Sequence, residues 1–357
     1  MDYNILEEYR FQRHKKRVFL LSLAILTVAL IFLSLFAGNR SLSAEEILDV
    51  IVAHIQNRPL EMYSKEWIDD YAIWNVRLPR SLYGVLAGAI LGIAGATLQT
   101  TLDNPLADAY TTGISSGALL GVSVSMILGI DIIEVGALGN VGVLINAFVF
   151  SLIPVGIMVL IVPFTRGNST SMILVGVAVT YIFTTADTLL MVLTDSETMA
   201  EVYTWQVGSL SSASWDDFIA TMAIGLPGCI VLSIMANKLN IMASGEKTAK
   251  SLGLDIENFR ILCLVVCTFT VSIVVCHVGI IGFVGLVSPH IIRSVVGGNN
   301  KYVLVGSALF GGAFLILADI LCRVISNSDA VPVGVIMSFV GAPLFILLIM
   351  RRKSNVA

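Results

Sequence analysis

The segment Ser244-Gly245-Glu246-Lys247-Thr248 combines glycine, lysine and hydroxyl side chains, which are the residue types of a phosphate-binding loop. In such a loop the backbone N–H groups hold the phosphates, while the lysine and the hydroxyl contact phosphate oxygens and Mg²⁺. A phosphate-binding loop needs a Gly-Lys pair, a further glycine shortly before that pair and a buried strand that leads into the loop. This segment has none of the three. We therefore expect no nucleotide-binding site in this chain.

Histidines and cysteines are the other candidates for metal or covalent chemistry. A metal site would need more ligands than His277 and His290, so we expect no metal, and His290 is predicted to cap or pack a short helix. The five cysteines lie in or at the ends of apolar runs and form no CxxC pair, which is typical of small buried side chains. The sequence shows no catalytic constellation, so we expect neither an enzyme nor a bound cofactor.

Asp187 is an acid inside an apolar run. An ionisable group there is costly and usually faces a cavity or a partner, so Asp187 is a candidate functional residue. The alternative is a structural hydrogen bond to a neighbouring helix through Thr184 or Thr185. In a water-filled vestibule its carboxylate would repel an anionic solute and favour a cationic or neutral one.

The composition indicates a membrane protein. Of the 357 residues, 56% are hydrophobic and 13% are charged, which is unlike a soluble domain. The apolar runs recur from residue 18 to residue 350 with no polar domain between them, so residues 1–357 are predicted to form a single membrane domain. The net charge of -4 offers no basic surface for nucleic acid.

Hydropathy predicts ten membrane spans in an all-α fold. One lies between Tyr71 and Asp103, and the others are 18–37, 113–128, 135–163, 172–193, 218–236, 261–276, 279–296, 302–321 and 332–350. Ten crossings place every basic cluster on one face (residues 14–17, Arg166, the 238–260 segment, Lys301 and residues 351–353), so both termini are expected in the cytoplasm. The third run is short and the eighth is broken by glycines and Pro289. Such broken helices are tolerated where they are buried or line a cavity, which indicates a transport path.

Arg77, Arg80 and Arg323 lie at the outer ends of spans, against the charge bias that sets this topology. They could snorkel to lipid phosphates or pair with nearby acids. Alternatively, they could receive carboxylates of a docking protein as bidentate ion pairs. Both interpretations remain open at this point.

The segment 238–260 is the one long polar interruption. Within it Ser244 is predicted to cap a short helix, Glu246 favours its first turn and Gly253 can end it. Ala249 and Gly253 share one side of that helix with Leu252 beside them, so another protein's backbone could approach closely. The alternative is a solvated connector.

Small residues recur at every fourth position of the second span, at Gly84, Gly88 and Gly92. This stripe predicts close helix packing, and Gln99 could form a hydrogen bond across the same interface.

Six stretches of this sequence resemble the FecCD-type permeases of bacterial ABC importers, the family of the vitamin B12 and iron–siderophore permeases. They occur in the family's order and are spread over about three quarters of the chain: RLPRSLYGVLAGAILGIAGATLQ (77–99), NPLADAYTTGISSGA (104–118), WQVGSLSSASW (205–215), GEKTAKSLGL (245–254), GIIGFVGLVSPHIIR (279–293) and VPVGVIMSFVGAPLFILLIMRR (331–352). Six such stretches in register are highly specific. One departure is Asp108-Ala109, where the family more often has Glu-Pro. We assign that pair to a cytoplasmic loop and expect no consequence.

The resemblance implies a type II ABC importer permease fold in the plasma or inner membrane of a bacterium or archaeon. The expected partners are a second permease copy (homodimer or close heterodimer), two cytoplasmic ATPase subunits that use ATP and Mg²⁺, and an extracytoplasmic substrate-binding lipoprotein. The carried-over roles are coupling to the ATPase for Gly245, Glu246, Ala249, Leu252 and Gly253, and docking of the binding protein for Arg77, Arg80 and Arg323. We further expect Asp187, Gly341 and Pro343 on the translocation path.

The implied cargo is a ferric siderophore or another iron chelate. Cobalamin or haem would use the same kind of transporter, so these alternatives stay open. An ion-coupled secondary transporter would usually carry more intramembrane acids and needs no segment that docks an ATPase. A channel or membrane receptor would not need the three outer arginines.

Overall fold

Helices form the regular structure of the chain in a computed structural model that describes residues 2–38, 40, 42–56, 58–133, 141–161, 164, 169–325 and 331–354. These ranges contain no strand. The α-helices are α1 (Asp2–Ser34), α2 (Ala44–Ile55), α3 (Lys65–Tyr71), α4 (Leu78–Thr101), α5 (Ile114–Leu128), α6 (Val141–Ile161), α7 (Ser169–Leu193), α8 (Ser196–Val207), α9 (Trp215–Ile234), α10 (Ala236–Met242), α11 (Glu246–Ser251), α12 (Ile256–Val278), α13 (Val284–Val296), α14 (Asn300–Ile325) and α15 (Val333–Ser354), and a π-helical turn (Ala72–Arg77) joins α3 to α4.

Seven helices among the described residues are long and apolar enough to cross a bilayer, which confirms a polytopic all-α membrane protein. Three shorter apolar helices (Ile114–Leu128, Val284–Val296 and Val333–Leu347) lie where the sequence predicts the third, eighth and tenth spans. The number of ten crossings stays a prediction. Arg166 and both ends of the predicted 135–163 run lie outside the described residues.

The helix α4 is the central element of the fold. Of the most apolar 18-residue stretch of this span, 78% is buried inside the protein, against 22% for the corresponding stretch of α7. Its glycines allow this burial. A Cβ added at Gly88 would collide with the Gly311 carbonyl of α14, and one at Gly92 with the Ser307 carbonyl. Two backbones therefore approach directly along this face. A Cβ added at Gly84 would instead lie 3.2 Å from Cδ1 of the Leu210 side chain.

Residues 102–113 connect α4 to α5 without helical structure and turn back into the body of the protein. Gly113 lies against Pro154, in the middle of α6, and the hydroxyl of Thr180, in the middle of α7, donates to the Tyr110 carbonyl over 3.4 Å. Asp108 and Ala109 are only 8% and 4% exposed. The expectation that this pair belongs to a cytoplasmic loop without consequence is therefore wrong, because the pair is buried in the helix bundle.

Residues 279–283, between α12 and α13, form a second connection that lies deep in the bundle. The Cβ position of Gly285, just after this turn, is 3.0 Å from the Leu91 carbonyl in the middle of α4 and 2.6 Å from Asp108 Oδ1. The Cβ position of Gly282 is 3.2 Å from the Tyr110 hydroxyl. The two non-helical connections therefore meet beside the first turns of the short helices α5 and α13.

Candidate functional site

The polar segment 238–260 folds as the two short helices α10 and α11, followed by the start of α12. Gly253 has a φ of 80° and ends α11, where its N–H donates to the Lys250 carbonyl while the N–H of Leu254 donates to the Ala249 carbonyl, each over 3.0 Å. This is the Schellman arrangement that a residue with positive φ permits. The predicted cap at Ser244 is wrong. Gly245 precedes the helix without a side-chain cap, and the Ser244 hydroxyl donates to the Ile241 carbonyl.

The predicted contact face of α11 is only partly available to another protein. Ala249 is 0% exposed, so its own side chain offers no surface to a partner backbone, and the role of this side in coupling stays a prediction. Its methyl group packs inside this chain and holds α11 against the bundle. Leu252 is 63% exposed, and a Cβ added at Gly253 would meet nothing within 4 Å. The exposed surface of the segment therefore includes Leu252 and Gly253 together with the charged first turn of α11 and the residues on either side of it.

Arg260 connects this segment to the centre of the protein, and sequence reasoning missed it. Its Nε donates to the Thr101 carbonyl over 3.0 Å, and its terminal NH2 group lies 2.9 Å from Glu246 Oε1. The residue is 1% exposed although it occupies the second turn of a span. A sequence signal existed, namely an arginine at the start of an apolar run with an acid in the preceding short helix.

The three outer arginines are buried by this chain itself. Arg80 is 4% exposed and its NH2 group lies 2.8 Å from Asp319 Oδ1, while Arg323, also 4% exposed, donates to the other oxygen of the same carboxylate. Arg77 is 5% exposed and donates to the carbonyls of Leu35 and Arg40.

The role of these arginines in receiving carboxylates of a docking protein therefore stays a prediction, and their burial does not favour it. A docking role needs exposed guanidinium groups, whereas these three are engaged within α1, α4, α14 and the loop after α1. The sequence pattern showed that they need partners, but it did not show that Asp319 is the partner of two of them.

Asp187 is also buried, at 3% exposure, and accepts a hydrogen bond from the Ser123 hydroxyl of α5. A structural hydrogen bond to a neighbouring helix was one of the two predictions, but the expected partners were different. The Thr184 hydroxyl instead donates to the Thr180 carbonyl of its own helix. The carboxylate therefore joins α7 to α5 and does not line either cavity described below.

A cavity of about 360 Å³ opens where the two non-helical connections meet. Its walls come from residues 102–113, the turn 279–283, the end of α8 and the start of α15. Its polar and aromatic lining comprises Tyr110, Tyr203, Gln206, Ser338 and Phe339, and none of the described lining residues is charged. Of the predicted path residues, Gly341 is buried against Phe283 beside this cavity, and Pro343 is exposed further along α15.

A larger cavity of about 660 Å³ lies on the other side of α8 and contains Glu197, Glu201, Trp205 and His277. The helix α8 begins at Asp195, whose carboxylate accepts from the backbone N–H groups of residues 197 and 198. These hydrogen bonds, with Thr198 as the largest contributor, hold the pKa of Asp195 below its usual range. The helix α8 therefore separates the two cavities.

No group of three or more His, Cys, Asp or Glu side chains within the described residues is arranged to hold a metal ion. All five cysteines are buried as free thiols. His290 packs edge-on against Phe345, and the Nδ1 atom of His277 lies 2.8 Å from the Ile273 carbonyl.

Comparisons with known proteins agree with this geometry. Residues 26–351 match the family model of the FecCD transport family. An ABC transporter permease protein of Methanocaldococcus jannaschii is 33% identical, covering 99% of this chain and 100% of the relative. The hemin transport system permease protein HmuU of Yersinia pestis is 33% identical over 79% of this chain and 84% of its own length. The cobalamin import system permease protein BtuC of Halobacterium salinarum is 35% identical over 79% and 74%.

The fold also resembles that of a solved structure. An ABC transporter assigned to the metal-chelate type, in an inward-facing conformation, superposes with a TM-score of 0.81 at 26% sequence identity. The match covers 94% of this chain and 99% of that chain, so the helix arrangement is shared over nearly its full length.

Proposed function

This chain belongs to the FecCD transport family, whose relatives are ABC transporter permeases, and we propose that it is the permease subunit of a binding-protein-dependent importer of ferric siderophores or related iron chelates. The observation that carries this proposal is the cavity at the meeting of the two non-helical connections. Non-helical backbone inside a membrane domain is tolerated where it lines a path for solute. The likeness to a metal-chelate transporter supports the cargo class. The hemin and cobalamin permeases support haem and cobalamin equally well.

The proposed partners follow from the two faces of the bundle. Two ATPase subunits would bind the segment of α10 and α11 and hydrolyse ATP with Mg²⁺, since this chain has no nucleotide-binding loop of its own. A substrate-binding lipoprotein would deliver the chelate to the opposite face, and a second permease copy would complete the path. Both termini would lie in the cytoplasm of a bacterium or archaeon, with the whole chain acting as one permease domain.

The cavity lining favours an uncharged chelate over an anionic one. Tyr110, Tyr203, Gln206 and Ser338 offer hydroxyl and amide groups, and Phe339 offers an aromatic face. None of the lining residues that the structure describes is basic, so none balances a negative cargo. Glu197 and Glu201 in the neighbouring cavity would repel anions. A neutral or cationic trihydroxamate complex of iron therefore suits this route better than an anionic tris-catecholate complex. Gly341 and Pro343 are proposed to shape its α15 wall, and Asp187 to support it from α7.

Uptake of labelled cargo by a host that lacks its own chelate importers tests this function. Cells that express this permease with its ATPase and binding protein should accumulate ⁵⁵Fe from a trihydroxamate complex. Uptake should stop when the ATPase is made unable to hydrolyse ATP. Accumulation of haem or cobalamin instead would replace the proposed cargo. Uptake that survives loss of the ATPase and stops with a protonophore would show a secondary transporter.

A further inference from the structure

The last turn of α4 is tied to both short helices of the proposed coupling segment by two separate polar contacts. One runs through Arg260, which joins the Thr101 carbonyl to Glu246 in the first turn of α11. The other runs through Asn300, whose N–H donates to Asn240 Oδ1 of α10 over 2.7 Å. The Thr100 hydroxyl donates to Asn300 Oδ1 over 3.3 Å. Both contacts end at the same turn of the central helix.

The chemistry of a helix end explains why a cation lies here. The last carbonyls of an α-helix have no partner within the helix and carry a partial negative charge. The guanidinium of Arg260 satisfies one of these carbonyls while its terminal nitrogen reaches Glu246. Arginine presents several donors in a fixed plane, so one side chain can hold two acceptors on different helices.

The two ends of the Arg260 contact differ in exposure. The Arg260 side chain is 2% exposed, whereas the Glu246 side chain is 55% exposed. The arginine is therefore fixed to α4 inside the protein, and its carboxylate partner lies on the surface that α11 presents to solvent. A protein that moves α11 would pull on Arg260, and through it on the end of α4.

The end of α4 is also connected to the wall of the 360 Å³ cavity. Arg293 of α13 donates to the Ala96 carbonyl and to the Thr100 hydroxyl, each over 3.1 Å. A Cβ added at Gly95 would collide with the Gly285 carbonyl at the start of the same helix. The helices α4 and α13 therefore contact each other along their length, and α13 begins at the turn whose Gly282 lines the cavity.

We propose that Arg260 is a positioning residue that transmits movement of α11 to the end of α4, and thereby to the cavity wall. The Asn240–Asn300 contact provides a second connection, from α10 to the end of α4. This inference rests on the proposed function, because it assumes that the ATPase subunits bind the segment of α10 and α11. Arg260 itself touches neither the cargo nor the nucleotide.

Proteoliposomes that contain the complete complex, with the binding protein inside or added to the matching face, provide the test. The measured quantity is the number of ATP molecules hydrolysed per iron chelate transported. Glu246→Gln weakens the exposed end of the contact, and Arg260→Lys keeps the charge but cannot hold Thr101 and Glu246 together. Glu8→Gln is the control, because Glu8 is an exposed acid of α1 that lies outside the segment 238–260.

We expect each contact variant to raise the ATP-to-chelate ratio about fivefold or more, the lower end of ordinary coupling between sites. The double variant Glu246→Gln/Arg260→Lys should raise it no further than the stronger single variant, since both changes act on one contact. The control should keep the wild-type ratio. Binding of the ATPase subunits, measured separately by pull-down, shows whether any loss is a loss of assembly.

A wild-type ATP-to-chelate ratio in both single variants would overturn the inference. An equal fall of chelate transport and ATP hydrolysis, caused by loss of assembly, would overturn it as well. Additive effects in the double variant would also contradict it, since they would mean that the two residues act separately. Each of these results leaves the proposed function standing. Only a wild-type complex that fails to couple ATP hydrolysis to chelate uptake would remove the proposed function itself.

Discussion

The two arginine centres of this protein, named outer and inner after the predicted topology, use the same ion pair in opposite ways. At the outer end Arg80 and Arg323 share Asp319, and the three side chains are 5%, 3% and 1% exposed. At the inner end Arg260 is buried, but its carboxylate partner Glu246 is 55% exposed. The outer carboxylate belongs to the long core helix α14, and the inner one to the short surface helix α11.

This difference teaches which contacts can change during a transport cycle. A charge pair that is buried on both sides has no water to replace a lost partner, so breaking it is strongly unfavourable. A pair with one exposed member can open at little cost, because water solvates the released carboxylate. The outer centre therefore fixes α1, α4 and α14 together, whereas the inner centre can adjust to the position of α11.

Removal of the shared carboxylate should have the largest effect on stability. Asp319→Ala leaves two buried guanidinium groups without their carboxylate, so we expect a loss of about 3–5 kcal/mol in the free energy of unfolding. SDS titration of the purified protein in mixed micelles measures this loss. The control Asp216→Ala, which removes an exposed acid in the first turn of α9, should cost less than about 1 kcal/mol. Equal stability of the two variants would mean that the ion pairs of Asp319 do not stabilise the fold.

Much of this architecture could be predicted from the sequence, since hydropathy located the spans and the glycine spacing located the face of α4 that meets α14. The partners of the charged residues could not be predicted in the same way. Arg80 and Asp319 are separated by most of the chain, and no local pattern relates them. The arginines were singled out as groups that need partners, and the counter-charge of Arg80 and Arg323 comes from this chain.

The inward course of residues 102–113 and the burial of Ala249 escaped prediction for a related reason. Polar and small residues after Thr101 are as typical of a surface loop as of a segment that returns into a bundle. Only the contacts of Asp108 and Gly113 with distant helices distinguish the two. Ala249 and Gly253 do lie near each other on α11, but helical spacing does not show which side of a short helix faces its own protein.

A bulky side chain in the glycine contact should have the second largest effect. The Leu side chain of Gly88→Leu would meet the Gly311 carbonyl and the backbone of Gly312, neither of which can rotate away. We expect a loss of about 1–3 kcal/mol, measured by the same titration. The matched control is Gly156→Leu in α6, where an added Cβ meets nothing within 4 Å. This control should be neutral or slightly stabilising, because leucine favours helix more than glycine does. A Gly88→Leu variant with wild-type stability and altered cargo preference would instead place this face on the transport path.

The smallest effect on stability is expected for the inner carboxylate, and the same chemical change in the outer centre provides the comparison. Glu246→Gln should alter the free energy of unfolding by less than about 1 kcal/mol, because the carboxylate is more than half exposed and the amide oxygen can still accept from Arg260. Asp319→Asn makes the identical carboxylate-to-amide change where no water can compensate, so its loss should be several times larger. Unfolding of both variants under identical conditions gives the ratio directly. A ratio near one would show that the inner carboxylate is as firmly held as the outer one, and α11 would then be a fixed part of the bundle. A stability loss that is several times larger in Asp319→Asn, together with a raised ATP-to-chelate ratio in Glu246→Gln alone, would support the distinction. It would mean that the Arg260–Glu246 contact changes during transport while the contacts of Asp319 hold the helices together.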